Sequence, residues 1–156
     1  MSKRSVSLRP LAAVIVCAFL ALPLASATEQ TLDLAQFEGK VVVLDFWASW
    51  CVPCRRSFPW LNTMHEKYAD AGLVIVGVNL DLERGDAESF LAEFPADFQI
   101  YYDDSKTLAK DFDVIAMPSS YLLGRDGEVR EKHFGFKVKK QAEYEAAIVA
   151  ALNAKE

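Results

Sequence analysis

Residues 41–54 are VVVLDFWASWCVPC, and this stretch decides the fold of the chain. Its first six residues are β-branched, aliphatic or aromatic apart from Asp45, and such a run predicts a buried strand over 41–46. Pro53 occupies a first-turn position, which is typical of a helix start. Cys51 and Cys54 therefore lie at the junction between a strand and the helix that follows it.

The position of these two thiols favours disulfide exchange. Free N–H groups and the positive end of the helix dipole stabilise an anion, so we expect Cys51, the more N-terminal and more exposed cysteine, to be the attacking thiolate. Cys54 lies one helical turn further on and is placed to resolve a mixed disulfide by intramolecular attack. Arg55 and Arg56 add positive charge, and Pro53 restricts the loop between the sulfurs. The spacing indicates a reversible dithiol/disulfide centre.

The N-terminal segment has the composition of a secretory signal peptide. Three basic residues lie among the first nine, residues 11–24 are apolar apart from Pro23, and Ala25-Ser26-Ala27 matches an A-x-A cleavage pattern. We predict a signal peptide at 1–27, a domain at 28–156 and a periplasmic location. An uncleaved membrane anchor is the alternative, although about 14 apolar residues are fewer than the ~20 that span a bilayer.

Cleavage after Ala27 changes the cysteine and charge counts. Cys17 leaves with the signal peptide, so one close pair remains, and an exported protein with one such pair has no disulfide framework. The pair is therefore more consistent with redox activity than with a structural role. The remaining 129 residues, enough for one domain, carry 14 basic and 22 acidic side chains, a net charge of −8. Such an acidic chain argues against nucleic acid and anionic membranes as partners.

Apolar runs and turn residues divide the rest of the chain into alternating strands and helices. A long helix follows the cysteines, and Gly72 ends it before a second buried strand at 73–80. Gly124-Arg125-Asp126-Gly127 predicts a hairpin turn. The further expected elements are helices at 86–94, at 106–112 with an N-cap within 103–105, and at 139–153, and strands at 98–102, 119–123 and 128–134. This order predicts an α/β domain with a mixed sheet covered by helices on both faces.

Several motifs together resemble a known family. They are Phe46-Trp47-Ala48 with Trp50-Cys51-x-Pro53-Cys54, then Pro59, then Met117-Pro118-Ser119-Ser120-Tyr121 and the Gly-Arg-Asp-Gly turn. This pattern is similar to that of thioredoxin-fold thiol:disulfide oxidoreductases. An extra strand-helix insertion in the middle of the chain, together with the signal peptide, places the resemblance in the exported TlpA/ResA-like branch. No second cysteine pair completes a zinc site, so we expect no metal and no cofactor.

The resemblance implies a cis peptide bond between Met117 and Pro118, which would place that loop against the two sulfurs. The Met117 backbone would then be available for short β-type pairing with a bound chain. Trp50, Val52 and Pro53 would complete the substrate contact. We expect Trp47 and Trp50 to pack beside the active loop and to shape the docking surface. An ordinary turn proline is the alternative.

Asp45 lies in an otherwise apolar strand, six residues before Cys51. Thioredoxins carry a buried acid at this place that assists proton transfer with the resolving cysteine, and burial among apolar side chains should raise its pKa. Many TlpA/ResA-like sequences instead carry Asn here and an acid three residues after the second cysteine, where this chain has Ser57. The alternative is that Asp45 faces a water-filled edge and does no chemistry.

We therefore expect a thiol:disulfide oxidoreductase in which Cys51 attacks a protein disulfide and Cys54 releases the product. The resemblance favours a monomeric reductant, recharged by a membrane-bound thiol electron donor, with a role such as cytochrome c maturation or reduction of metal-site thiols. A disulfide donor, a Cu(I)-handling protein and a binding module with a permanent disulfide remain open alternatives.

Overall fold

The computed structural model describes residues 31–154, in which strands and helices alternate except for a hairpin of two consecutive strands. The predicted signal peptide at 1–27 lies outside these residues. The strands are β1 (Val41–Trp47), β2 (Leu73–Asn79), β3 (Gln99–Tyr102), β4 (Ser119–Leu123) and β5 (Val129–Phe134). The helices are α1 (Cys54–Tyr68), α2 (Arg84–Glu93), α3 (Thr107–Asp111) and α4 (Gln141–Asn153). Short 3-10 turns precede β1 at Leu34–Phe37 and α4 at Val138–Lys140.

The five strands form one mixed sheet in the order β3-β2-β1-β4-β5. Strand β1 is central, parallel to β2 and antiparallel to β4, while β3 extends the parallel side and β5 forms a hairpin with β4. The carboxyl ends of β1, β2 and β3 therefore lie at the same edge as the amino end of β4. This edge carries the candidate site.

Both faces of the sheet are covered, as the sequence predicts. Alternate β1 residues point to opposite faces, so Val41, Val43 and Trp47 pack with α1, α2 and α4. Val42, Leu44 and Phe46 pack on the other face, where α3 lies. The same alternation places Asp45 on the α1 face.

Helix α3 begins differently from the prediction. The sequence suggested a cap within 103–105 for a helix from residue 106, whereas α3 begins at Thr107, and Lys106 precedes it with a left-handed φ of 59°. The buried Asp103 carboxylate nevertheless accepts hydrogen bonds from the backbone N–H groups of Leu108 and Ala109, at 3.3 and 2.8 Å. The acid that accepts hydrogen bonds from the N–H groups at the start of α3 thus lies several residues before the helix.

Candidate active site

Cys51 and Cys54 are joined by a disulfide, with their Cα atoms 5.3 Å apart. Cys51 retains 3% of its surface and Cys54 retains none. An incoming thiolate can therefore reach only Cys51. The structure brings together the pair that the sequence singled out and orders the two cysteines as expected.

The start of α1 favours negative charge on the sulfurs. The helix begins at Cys54, no side chain caps it, and its first turn contains no acidic residue. The positive end of the helix dipole is therefore not neutralised locally. Arg55 and Arg56 are exposed in the same turn, and the Arg55 guanidinium lies 5.7 Å from the centre of the Phe94 ring.

A buried carboxylate, Asp81, holds the loop that leads to Cys51. It accepts hydrogen bonds from the Ser49 N–H, at 3.1 and 2.9 Å to its two oxygens, and from the Ser49 hydroxyl at 2.8 Å. The Asn79 side-chain amide donates a further bond at 2.8 Å. The Cys51 N–H closes the same loop on the Ala48 carbonyl at 3.0 Å. Sequence reasoning missed Asp81, although two polar residues at the end of an apolar strand were a usable signal.

Lys106 extends this polar arrangement. Its Nζ atom donates to the carbonyl oxygens of Asp81 and Asp103, each at 2.9 Å. The Asp103 N–H in turn donates to the Asn79 carbonyl at 3.1 Å. The ends of β2 and β3 are thus tied to the loop that carries the disulfide.

The bond between Met117 and Pro118 is cis, which confirms the expectation for this loop. Pro118 is buried, and its carbonyl accepts a hydrogen bond from the Gly135 N–H at 2.8 Å. Met117 is half-buried and packs against the apolar cluster that contains both cysteines.

The surface beside the disulfide is apolar. Trp50 is 66% exposed, Val52 is 59% exposed, and Pro53 is half-buried between the cysteines. Trp47 packs in the same cluster as the two cysteines, as expected. Its predicted place on the docking surface is wrong, because this side chain is fully buried, with ring centroids 4.9 Å from Phe58 and 4.8 Å from Phe90. Its alternation along β1 points it into the core rather than to a docking surface.

Asp45 is fully buried, so it does not face a water-filled edge. The Ser120 hydroxyl, directly across the β1–β4 pair, donates a short hydrogen bond to Oδ1. Oδ2 has no hydrogen-bond partner among residues 31–154. Burial raises the pKa of Asp45 from 3.8 to about 7, and the Ser120 hydrogen bond opposes that rise. A carboxyl with this pKa can exchange a proton near neutral pH.

Ser120, the hydrogen-bond donor to Asp45, also lines a small cavity. A cavity of about 30 Å³ is lined by Ser120, Val43, His133 and Tyr144, among others, and is large enough for a water molecule, which needs ~10–15 Å³. Ser57, where many TlpA/ResA-like sequences carry an acid, is buried and donates its hydroxyl to the Cys54 carbonyl at 3.2 Å.

Residues 31–154 contain neither a metal-binding cluster nor a membrane-spanning helix. These residues hold no group of three or more His, Cys, Asp or Glu side chains placed to bind a metal ion. Their helices are all too short or too polar to cross a membrane.

Comparisons with known proteins agree with this geometry. The Redoxin family model matches residues 10–148. The thiol-disulfide oxidoreductase ResA of Bacillus thuringiensis subsp. konkukian is 31% identical over 112 residues, which cover 72% of this chain and 65% of that protein's length. A candidate thiol:disulfide interchange protein DsbE of Chlorobium tepidum is 46% identical, with a TM-score of 0.75 over 77% of this chain and 85% of that one. StoA from Bacillus subtilis is 27% identical, with a TM-score of 0.61 over 70% and 84% of the two chains.

Proposed function

Since this chain belongs to the Redoxin family, we propose that it is a thiol:disulfide oxidoreductase that exchanges disulfides with protein substrates through Cys51 and Cys54. One observation carries the proposal. The disulfide lies at the uncapped start of α1, and Cys51 alone retains accessible surface. This arrangement separates an attacking sulfur from a resolving one.

The proposed reaction transfers two electrons from the reduced pair to a substrate disulfide. The Cys51 thiolate attacks one substrate sulfur, forming a mixed disulfide and releasing the other substrate sulfur as a thiolate. Cys54 then loses its proton and attacks the Cys51 sulfur, which forms the Cys51–Cys54 disulfide and releases the second substrate thiolate. We assign Asp45 as the proton acceptor for Cys54, because its carboxyl has a pKa of about 7 through burial.

The substrate chain is proposed to contact the apolar surface around the disulfide. Trp50 and Val52 are exposed there, and Pro53 limits the freedom of the loop. Met117 and Pro118, which are joined by a cis peptide bond, lie on the neighbouring loop. Short backbone pairing there would accept many protein sequences.

The proposed location, direction of electron transfer and redox partner follow from the sequence and the family resemblance. The composition of residues 1–27 supports export to the periplasm by a signal peptide. In that oxidising compartment we propose a monomeric reductant, recharged by a membrane-bound thiol donor and acting in cytochrome c maturation or on metal-site thiols. The reaction needs no metal or other cofactor, because the two thiols carry the electrons.

Insulin reduction tests the activity, with the full chain and dithiothreitol as the electron source. We expect the wild-type protein to accelerate precipitation of the insulin chains. C51S should lose the acceleration entirely, and C54S should accumulate a mixed disulfide with substrate, because the resolving thiol is missing. An inactive wild-type protein would contradict the proposal and favour a permanent structural disulfide.

The reduction potential of the pair tests the direction. Equilibration of the full chain in graded thiol buffers should give a value near or below about −200 mV for a reductant. A value near −120 mV, where strong disulfide donors lie, would overturn the proposed direction and leave the exchange activity in place.

A further inference from the structure

A basic cleft adjoins the first turn of α1, the helix that begins at Cys54. It has a volume of about 550 Å³ and is lined by Arg56, Phe136, Lys137, Val138, Lys139 and Lys140. Four of these six side chains are cationic. The other two are apolar, so the cleft combines charge with hydrophobic surface.

Both walls of the basic cleft belong to elements that form the candidate site. Arg56 is two residues beyond Cys54, in the first turn of α1. The opposite wall, residues 136–140, follows β5. Gly135, which precedes this wall, donates its N–H to the Pro118 carbonyl at 2.8 Å. The Phe136 ring then packs on Trp60 of α1, with ring centroids 5.6 Å apart. A chain bound to Cys51 and continuing toward this side would enter the cleft.

The charge of the cleft is opposite to that of the protein. Residues 28–156 carry a net charge of −8, so a cluster of cations is a local exception. Lys140 is paired with Glu143, at 2.9 and 3.0 Å to its two carboxylate oxygens. Lys137 also lies near Glu143, and its charge helps to hold the pKa of that carboxyl below its usual value. Within residues 31–154, the side chains of Arg56 and Lys139 make no hydrogen bond or ion pair. Arg56 and Lys139 are therefore available to a partner, and Lys137 shares Glu143 with Lys140.

The apolar part of the cleft is packed against other aromatic rings on one side and exposed to solvent on the other. Phe136 is half-buried and lies against Trp60 and Tyr144, with a centroid distance of 5.9 Å to the latter. Val138 is 54% exposed. An apolar side chain of a bound peptide could pack here while its acidic neighbours contact the lysines.

We propose that the basic cleft binds an acidic, partly apolar segment of the substrate protein, adjacent in its sequence to the cysteine that Cys51 attacks. This inference rests on the proposed function. Cations within a Debye length of ~8–10 Å attract such a segment, and the acidic remainder of the surface repels it. The substrate chain should therefore bind across the site in one orientation. The concave shape and the net negative charge favour a peptide over an anionic bilayer.

Three peptides of equal length would test the proposal. Each carries one cysteine as a mixed disulfide with thionitrobenzoate, flanked by Asp-Asp-Leu, Ser-Ser-Leu or Lys-Lys-Leu. The reduced full chain releases thionitrobenzoate, whose absorbance gives the second-order rate constant. Dithiothreitol, a neutral thiol, corrects for intrinsic differences between the peptides. We expect the corrected rate for the acidic peptide to exceed that for the basic peptide by about tenfold at low salt, and the ratio to approach one in 0.5 M NaCl.

Charge reversal locates the effect. K137E/K139E should bring the acidic-to-basic ratio to one or below. The matched control K40E/K110E makes the same change in net charge, but Lys40 precedes β1 at the opposite edge of the sheet and Lys110 lies in α3 on the other face. Its ratio should stay at the wild-type value. The salt dependence of the wild-type ratio is an independent readout that requires no variant to fold.

The outcomes separate the two proposals. A wild-type ratio near one, or an equal loss of the ratio in both double variants, would overturn the role of the cleft while reaction with the neutral peptide still supports exchange activity. No reaction with any peptide would contradict both. A ratio near one, with binding to phosphatidylcholine/phosphatidylglycerol vesicles that K137E/K139E abolishes, would replace the peptide with a membrane surface.

Discussion

Asp45 and Asp81 are two buried aspartates whose carboxyl groups accept different numbers of hydrogen bonds. Asp81 is 6% exposed and its carboxylate accepts bonds from the Ser49 N–H, the Ser49 hydroxyl and the Asn79 amide. Asp45 is fully buried and receives one bond, from Ser120, while Oδ2 has no partner in the described part of the chain. The supply of donors, rather than burial alone, decides what each carboxyl can do.

The difference follows from position in the sheet. Asp81 lies just beyond β2, where loop N–H groups and polar side chains are free to turn toward it. Asp45 lies within β1, where backbone groups are engaged with β2 and β4 and the surrounding side chains are apolar. A well-supplied carboxylate stabilises the loop before Cys51, whereas a poorly supplied one takes up a proton.

The largest expected effect is the pH dependence of stability that Asp45 imposes. Burial raises its pKa from 3.8 to about 7, so between these values the folded protein binds a proton that the unfolded chain has released. The free energy of unfolding should therefore fall as the pH rises from 4 to 7 and level off above 7. At ~1.4 kcal/mol per pKa unit, this contribution amounts to roughly 4 kcal/mol.

D45N removes the titrating group and provides the measurement. Urea unfolding of the oxidised wild-type and D45N proteins, at intervals from pH 4 to pH 8, gives the difference between their unfolding free energies. We expect that difference to move in favour of D45N as the pH rises. The contributions of the other carboxyls cancel in this difference because both proteins contain them. Parallel curves of unfolding free energy against pH would show that Asp45 has an ordinary pKa.

Removal of the Asp81 carboxylate should destabilise the protein through the loop before Cys51. D81A leaves the Ser49 N–H and hydroxyl and the Asn79 amide without their charged acceptor, and we expect about 3 kcal/mol of destabilisation in urea unfolding at pH 7. D81N keeps the side-chain volume and one acceptor oxygen, so it should lose less. A loss in D81A below about 0.5 kcal/mol, the range of ordinary surface substitutions, would show that the loop does not depend on this acid.

Local sequence signals predicted most of the fold, because residues close together in the sequence determine where its strands, helices and turns begin and end. Apolar runs specify β1 and β2, Gly72 separates α1 from β2, and Asp126-Gly127 forms the turn between β4 and β5. The cysteine spacing likewise specified a pair that one helical turn can bring together. These features depend on residues that are close in sequence.

The environment of the two aspartates could not be predicted in the same way. Ser49 and Asp81 are 32 residues apart, and Asp45 and Ser120 are 75 apart, so both contacts depend on sheet order and register. The apolar neighbours of Asp45 indicated that its side chain is buried. No local sequence feature indicated that its carboxyl would receive a hydrogen bond from one donor alone. For Trp47 the local signal was available but was not used. The alternation of side chains along β1 places it in the core, whereas the sequence motif led to a surface role that the structure contradicts.

The smallest expected effect comes from S120A, which removes the hydrogen bond that Asp45 does receive. That bond lowers the pKa of Asp45 against the larger effect of burial, so its loss should raise the pKa further above about 7. We expect a change of about one pH unit, because a hydrogen bond to a charged group contributes ~1.5–3 kcal/mol before solvent or rearrangement compensates. The readout is the pH midpoint for resolution of the mixed disulfide, followed by stopped flow, with the Asp45 carboxyl ¹³C shift as a direct check.

S119A is the matched control for this shift. Ser119 is buried beside Ser120, but its hydroxyl donates to the Ala116 carbonyl at 2.6 Å and not to Asp45. Its removal can change the rate through the loop that carries Met117 and Pro118, yet it should leave the midpoint where it is. If Ser120 only fills space, S120A and wild type will share one midpoint. If its hydroxyl sets the charge on Asp45, the midpoint of S120A alone will move to higher pH, and Asp45 will differ even more from Asp81.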